Sequence, residues 1–160
     1  MQHTNIGPFV DLTHTLDDRV PVYPGDPAFR LEALTIDGIS VHALSCSSHA
    51  GTHIDAPSHF FPHLQTIDSL SLGTFVRPAF VIDLSHKKAR ESINWADDLA
   101  PFESKMEKGI ALLIRTGWDQ HWGSNKYFDH PWIEKDAAQE LLKRGVKILG
   151  TDTMSPDQSP

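Results

Sequence analysis

Apolar and polar positions alternate along two short runs, residues 31–36 and 40–46, separated by Asp37-Gly38. Alternation with period two puts every second side chain on one face of a strand, and Asp-Gly tolerates the positive φ angles of a tight turn, so an antiparallel hairpin is predicted. "PAFVIDL" (78–84) and "GIALLIRT" (109–116) are continuous apolar runs, which predict central strands covered on both faces, and "VKILG" (146–150) predicts a further buried strand. From Ile133 the period lengthens: Ile133, Ala137, Leu141 and Leu142 recur at helical spacing, with Glu134 and Asp136 near the start and Lys143, Arg144 before Gly145. Acid first, base last and glycine after suit the helix dipole and a glycine C-cap. Residues 91–107 read as partly helical, interrupted by Pro101. "PFVDLTHTL" (8–16) reads as a short strand, and "VPVYPGDPAF" (20–29), with three prolines, as a loop of fixed shape.

Hairpin first and alternating helix and strand afterwards predict an α/β fold: one domain, residues 1–160, with a mixed β-sheet and flanking helices. Composition adds exclusions. With 39% hydrophobic and 22% charged residues and no long apolar run, the chain reads as globular, and a membrane role is not expected. Fourteen Lys and Arg against 21 Asp and Glu give a formal charge of −7, which opposes binding to nucleic acid. The start of the chain shows neither the basic nor the apolar segment of a secretory signal. A single cysteine, Cys46, excludes an intramolecular disulfide and fits a reducing compartment, so a cytoplasmic location is expected.

The chemistry concentrates in "SHAGTHIDAPSH", residues 48–59. His49 and His53 have the spacing of two ligands on one helix face, but Gly51, Thr52 and Pro57 disfavour a helix. In an extended segment His49, His53 and Asp55 share a face. His53 and Asp55 would then lie roughly 6.6 Å apart and His49 and His53 roughly 13 Å apart. A bend at Ala50-Gly51, which glycine permits, must therefore bring His49 in. Two imidazoles and a carboxylate leave an open position on Zn²⁺ and also suit Mn²⁺ or Fe²⁺. His59, past Pro57, suits a general acid or base, since an ordinary histidine exchanges protons near neutrality. A metal-bound water with its pKa brought to about 7 would supply hydroxide for attack on a carbonyl.

Other histidines carry less. His3, His42, His86, His121 and His130 read as surface or hydrogen-bonded core residues, His63 is left open, and His14, beside Asp11, reads as structural. Cys46 is expected to be buried at the end of an apolar strand rather than to act as a nucleophile. No G-x-S-x-G, glycine-rich phosphate loop or C-x-x-C is present.

"HAGTHIDAPSHF" resembles the H-x-G-T-H-x-D-x-P-x-H signature of the Putative cyclase family, metal-dependent hydrolases that include bacterial-type kynurenine formamidase and isatin hydrolase. "DLTHTLDDRVPVYPGDPAF", "RTGWDQHW" and "GVKILGTDTMSPD" resemble further segments of that family, so the likeness covers nearly the whole chain. The resemblance implies a swivelling ββα domain that hydrolyses an amide or lactone of a small aromatic substrate, N-formylkynurenine, isatin or similar, through metal-bound hydroxide. It implies His49, His53 and Asp55 as metal ligands, with Asp55 bridging two ions, and His59 as proton donor and acceptor. The cofactor would be one or two divalent ions, Zn²⁺ or Mn²⁺. Tyr23 stands where formamidases carry a substrate-contacting aromatic, and Phe60, Phe61, Trp118 and Trp122 are further candidates for an aromatic pocket, each open to a core role, the last two more so.

Members of the family run on for roughly another third of this length, comparable with single-domain sizes, and the continuation supplies a further histidine and glutamate to the metal centre. The chain thus reads as a shortened member. A hydrolase is the first reading; a non-catalytic relative binding metal, ligand or a partner subunit is the alternative. An uncovered strand edge invites pairing, so a homo-oligomer is expected.

Overall fold

The computed structural model describes residues 5, 6 and 8–160, with side chains from Pro8 onward; His3 lies outside the described residues. Contacts divide the chain into two compact units, Met1–Ile67 and Asp68–Pro160.

In the first unit β1 (Asn5–Ile6) pairs antiparallel with β2 (Phe9–Val10). The strand expected over 8–16 thus ends at Val10. Asp11 is the reason: its carboxylate accepts the Thr13 N–H at 2.9 Å and the Thr13 hydroxyl at 2.6 Å, a local turn that competes with ladder pairing. The hairpin is as predicted. β3 (Arg30–Ile36) and β4 (Ile39–Ser45) pair from Arg30↔Ser45 to Ile36↔Ile39, and Asp37 (φ 51°) with Gly38 (φ 81°) supply the two left-handed residues of the tight turn. Both its faces are exposed, with Leu31, Ile36, Ile39 and Leu44 at 55–66%. Cys46, just past β4, is accordingly exposed rather than buried. The Pro-rich stretch 20–29 contains no regular element, and the chain beyond β4 stays irregular until a single 3₁₀ turn, Pro57–His59.

The second unit holds the core. β5 (Ala79–Asp83), β7 (Ala111–Arg115) and β9 (Ile148–Thr151) form a parallel sheet with β7 central, while β6 (Ser92–Ile93) pairs in parallel with β8 (Trp132–Ile133). Phe80, Ile82, Leu112 and Ile114 share one face of the sheet, and Leu99, Met106, Ala137 and Leu141 pack against it. Fully burying such a side chain stabilises the fold by roughly 1.5–3 kcal/mol. The expectation of cover on both faces holds for central β7, where Ala111 is buried and Leu113 half-buried on the opposite face, and is corrected for β5, an edge strand of this sheet whose Val81 is 51% exposed.

The helical stretch at 91–107 resolves into a π turn, Trp95–Leu99, and a 3₁₀ segment, Ala100–Lys105, with Pro101 in its first turn, where the missing N–H costs nothing. Helix α1 is Lys135–Lys143, two residues later than the periodicity from Ile133 suggested. Ile133 belongs instead to β8, and its N–H bonds the Pro156 carbonyl at 2.8 Å. Gly145, at φ +80°, ends the helix as predicted.

Two polar anchors complete this unit. Asp152, after β9, accepts the Thr116 N–H, the Thr116 hydroxyl (2.6 Å) and the Gly117 N–H (2.6 Å), tying the exit of β9 to that of β7. Lys87 and Asp98, each with only 6% of the side chain exposed, pair at 2.7 Å. Lys87 also donates to the Ser92 carbonyl, and Asp98 accepts the Asn94 N–H. Parallel and antiparallel pairings thus occur in separate sheets among the described residues, within an α/β fold. No helix is long and apolar enough to cross a membrane among the described residues.

Candidate metal centre

Residues 46–56 contain no regular element, and Gly51 sits at φ +70°, a left-handed bend that costs glycine nothing. This is the bend that extended geometry lacked. It brings His49 Nδ1 to 3.3 Å from His53 Nε2 and to 2.7 Å from Asp55 Oδ1, with His53 Nε2 also 3.3 Å from that oxygen. Ligand atoms about 2.1 Å from a common ion stand roughly 3.0–3.4 Å apart in octahedral or tetrahedral coordination. The triangle fits a divalent cation. Without one, a proton on His49 Nδ1 can occupy the shortest edge as a hydrogen bond to Asp55.

The ring of His53 is also fixed in orientation. A carbonyl only accepts, so the 2.8 Å contact of His53 Nδ1 with Gly51 O is a donated N–H bond, and in the neutral ring this leaves the lone pair on Nε2, facing the other two donors. His49, His53 and Asp55 are 28%, 29% and 39% exposed at the side chain, open enough for a solute to reach.

His59 joins from the 3₁₀ turn that Pro57 opens. Its N–H bonds the Ala56 carbonyl at 2.9 Å, its ring lies 4.0 Å from that of His49 and 4.5 Å, edge-on, from that of Phe60. One ligand atom each from His49, Asp55 and His59 lie within 4.8 Å of one another, so His59 borders the same space.

The candidate aromatics divide. Phe60 (65%), Phe61 (56%) and Tyr23 (38%) are exposed in the first unit. Trp118 belongs to the second unit, is 6% exposed, and donates its indole N–H to the Lys126 carbonyl at 3.1 Å, the environment of a packed residue. Trp122 stacks edge-on against Tyr127 at 5.4 Å, and burial pushes the Tyr127 phenol well above its usual range. His130 is a hydrogen-bonded core residue, as the sequence suggested. His63 faces the edge of Phe61 at 6.3 Å.

Three residues that sequence reasoning passed over hold the ligand loop. Ser47 Oγ accepts the His49 N–H (3.1 Å) and donates to Asp26 Oδ2 (2.9 Å); Thr52 Oγ1 accepts the His14 N–H (3.0 Å). The signal available was the presence of hydroxyl residues in an irregular run, the setting in which such side chains bond backbone.

Comparison with known proteins places nearly the whole chain beside one family. The profile of the Putative cyclase family matches residues 10–158. The kynurenine formamidase of Geobacillus thermodenitrificans is 33% identical over 158 residues, 95% of this chain and 71% of that protein. That of Bacillus anthracis is 32% identical over 154 residues, covering 93% and 70%. Among solved structures, isatin hydrolase A from Ralstonia solanacearum superposes with a TM-score of 0.82 at 26% identity, over 94% of this chain and 68% of that one.

Proposed function

The chain belongs to the Putative cyclase family of metal-dependent hydrolases, and from that premise we propose that it hydrolyses the amide or lactone bond of a small aromatic substrate, an aryl formamide such as N-formylkynurenine or a cyclic amide such as isatin. One observation carries the reading: two imidazole nitrogens and a carboxylate oxygen meet within 3.3 Å, with the ring centre of a third imidazole, tilted by 42°, 4.0 Å from that of His49. In this reading His49, His53 and Asp55 hold a divalent cation, Zn²⁺ or Mn²⁺, one ion or two. Bound there, such an ion lowers the pKa of water and polarises a carbonyl. His59 takes the proton of the water that adds to the carbonyl carbon and returns it to the leaving nitrogen or oxygen as the C–N or C–O bond breaks. Tyr23, Phe60 and Phe61 present exposed aromatic surface within the same unit and would hold an aryl group; Trp118 is the candidate with least accessible surface.

The family match runs across both compact units, which supports reading residues 1–160 as one domain of that family. The lone cysteine supports a cytoplasmic location, and the exposed apolar residues of the hairpin support a homo-oligomer. The test joins metal content to turnover. His59→Ala is expected to retain the metal found in the unaltered protein while losing at least about 10²-fold in turnover of an aryl formamide or isatin, and Asp55→Ala to lose the metal. Metal retained with turnover unchanged in His59→Ala removes His59 from the reaction. Metal bound without turnover of any formamide, isatin or lactone would favour the non-catalytic alternative.

A further inference from the structure

The three ligand atoms sit on a loop without helix or sheet, so something other than regular structure must hold them. Among the side-chain hydrogen bonds described, two hydroxyls, Ser47 just before the first ligand and Thr52 within the loop, join it to earlier parts of the chain. At one end Ser47 Oγ stands between the His49 N–H and the carboxylate of Asp26, and the Asp26 N–H in turn closes a turn on the Tyr23 carbonyl at 3.0 Å. Within the loop, next to His53, Thr52 Oγ1 receives the N–H of His14, from the turn that the Asp11 carboxylate builds on Thr13. Between the two lies Gly51, whose carbonyl fixes the His53 ring and whose hydrogen faces Leu16; a Cβ there would stand 2.3 Å from Leu16 Cδ2.

We propose that Ser47 and Thr52 are positioning residues of the metal centre: their hydroxyls fasten the backbone of His49 and of the Gly51–His53 turn to residues 11–26, and so preset the ligand triangle. The inference rests on the metal-binding reading above. Each hydroxyl acts through backbone, not on the cation. Ser47 uses both its capacities, accepting from His49 and donating to Asp26. Its removal leaves an N–H and a part-buried carboxylate without their partner. Outer partners of metal ligands commonly change affinity by about 10–100-fold when removed. The Ser47 link also joins the turn that Asp26 closes on Tyr23 to the backbone of His49.

The experiment uses the full chain stripped of metal and titrated with Co²⁺, reading affinity by competition with a chromophoric chelator and ligand geometry by the visible absorption of the bound ion. Thr52→Val and Ser47→Ala are each expected to weaken binding about 10-fold and to alter the spectrum, while Thr52→Ser and Ser47→Thr, which keep a hydroxyl, restore both. Affinity and spectrum unchanged in Thr52→Val and Ser47→Ala overturn the inference, as does Thr52→Ser behaving like Thr52→Val, which would assign the effect to methyl packing. Should Thr52→Val fail to fold by circular dichroism, Thr52→Ser and Ser47→Ala decide. If the unaltered chain and Asp55→Ala bind Co²⁺ alike, the metal reading itself fails, and that outcome is distinct from tethers that do not matter in a chain that binds.

Discussion

At the scale of the residue, Gly51 and His130 show how a single side chain, or its absence, sets local behaviour. Gly51 combines a left-handed backbone with a neighbour that leaves no room for a Cβ. Gly51→Ala is expected to destabilise the chain by about 1–2 kcal/mol from backbone strain alone and to weaken metal binding, because the bend that joins His49 to His53 opens. Chemical denaturation and metal titration of the variant check both; an unchanged midpoint would show that the loop tolerates a different bend. His130 is buried, donates from Nδ1 to the Pro131 carbonyl (2.8 Å) and accepts the Ser159 hydroxyl at Nε2 (2.7 Å). Burial depresses its pKa below 6.5; the Pro131 carbonyl and Asp129 oppose the shift, and Arg90 adds to it. The unfolded chain therefore takes up a proton that the folded chain refuses, and the stability due to this group, complete above pH about 6.5, falls as pH drops below it. Urea midpoints between pH 8 and 5 should fall more steeply for the unaltered protein than for His130→Gln; parallel slopes would count against the assignment.

At the scale of the element, the buried pair beneath β6 anchors the turn before it. Burial alone would depress Lys87; its bonds to Asp98 and Glu91 outweigh that and hold the ammonium above its usual range. Removing one partner strands the other charge, so Lys87→Met should cost about 3–5 kcal/mol, whereas the double change to apolar residues should recover much of it. Thermal melts of the two variants distinguish this from a pair that contributes little, for which Lys87→Met would melt like the parent. Legibility also differs between elements. The hairpin at 30–45 was readable because Asp37-Gly38 admits few other backbones, and α1 because charge, period and Gly145 agree. Residues 11–16 were misread because strand alternation is mimicked by "DLTHTL", while the Asp11 carboxylate captures Thr13 locally. The candidate site was legible as a set of donors, and even its bend at Gly51 could be required from distance. Its supports could not, since Asp26 and His14 reach Ser47 and Thr52 across 21 and 38 residues, and no spacing rule carries such contacts.

At the scale of the whole molecule, apolar burial is unequal. Ile82, Ile93, Leu99, Leu112 and Ile114, all in the second unit, are at most 2% exposed, whereas Val20 is the buried hydrophobic residue of the first among those described. Opening free energies should follow that division. Amide hydrogen exchange is expected to be slowest in β7 and α1 and much faster in β3 and β4, with residues 47–55 gaining protection when metal is added. Uniform protection along the chain would mean that the hairpin is covered in solution, as in the homo-oligomer proposed above.

The proposed ligands lie close in sequence, His49 and Asp55 being six residues apart. Closing so short a segment costs little chain entropy and takes on the order of 10–100 ns. Among the described residues, the four that these hydrogen bonds join at the loop, His14, Asp26, Ser47 and Thr52, also precede Asp55. During synthesis the three proposed ligands therefore leave the ribosome while β7 (Ala111–Arg115), the centre of the parallel sheet, is still untranslated, so these donors can come together before most of the core exists.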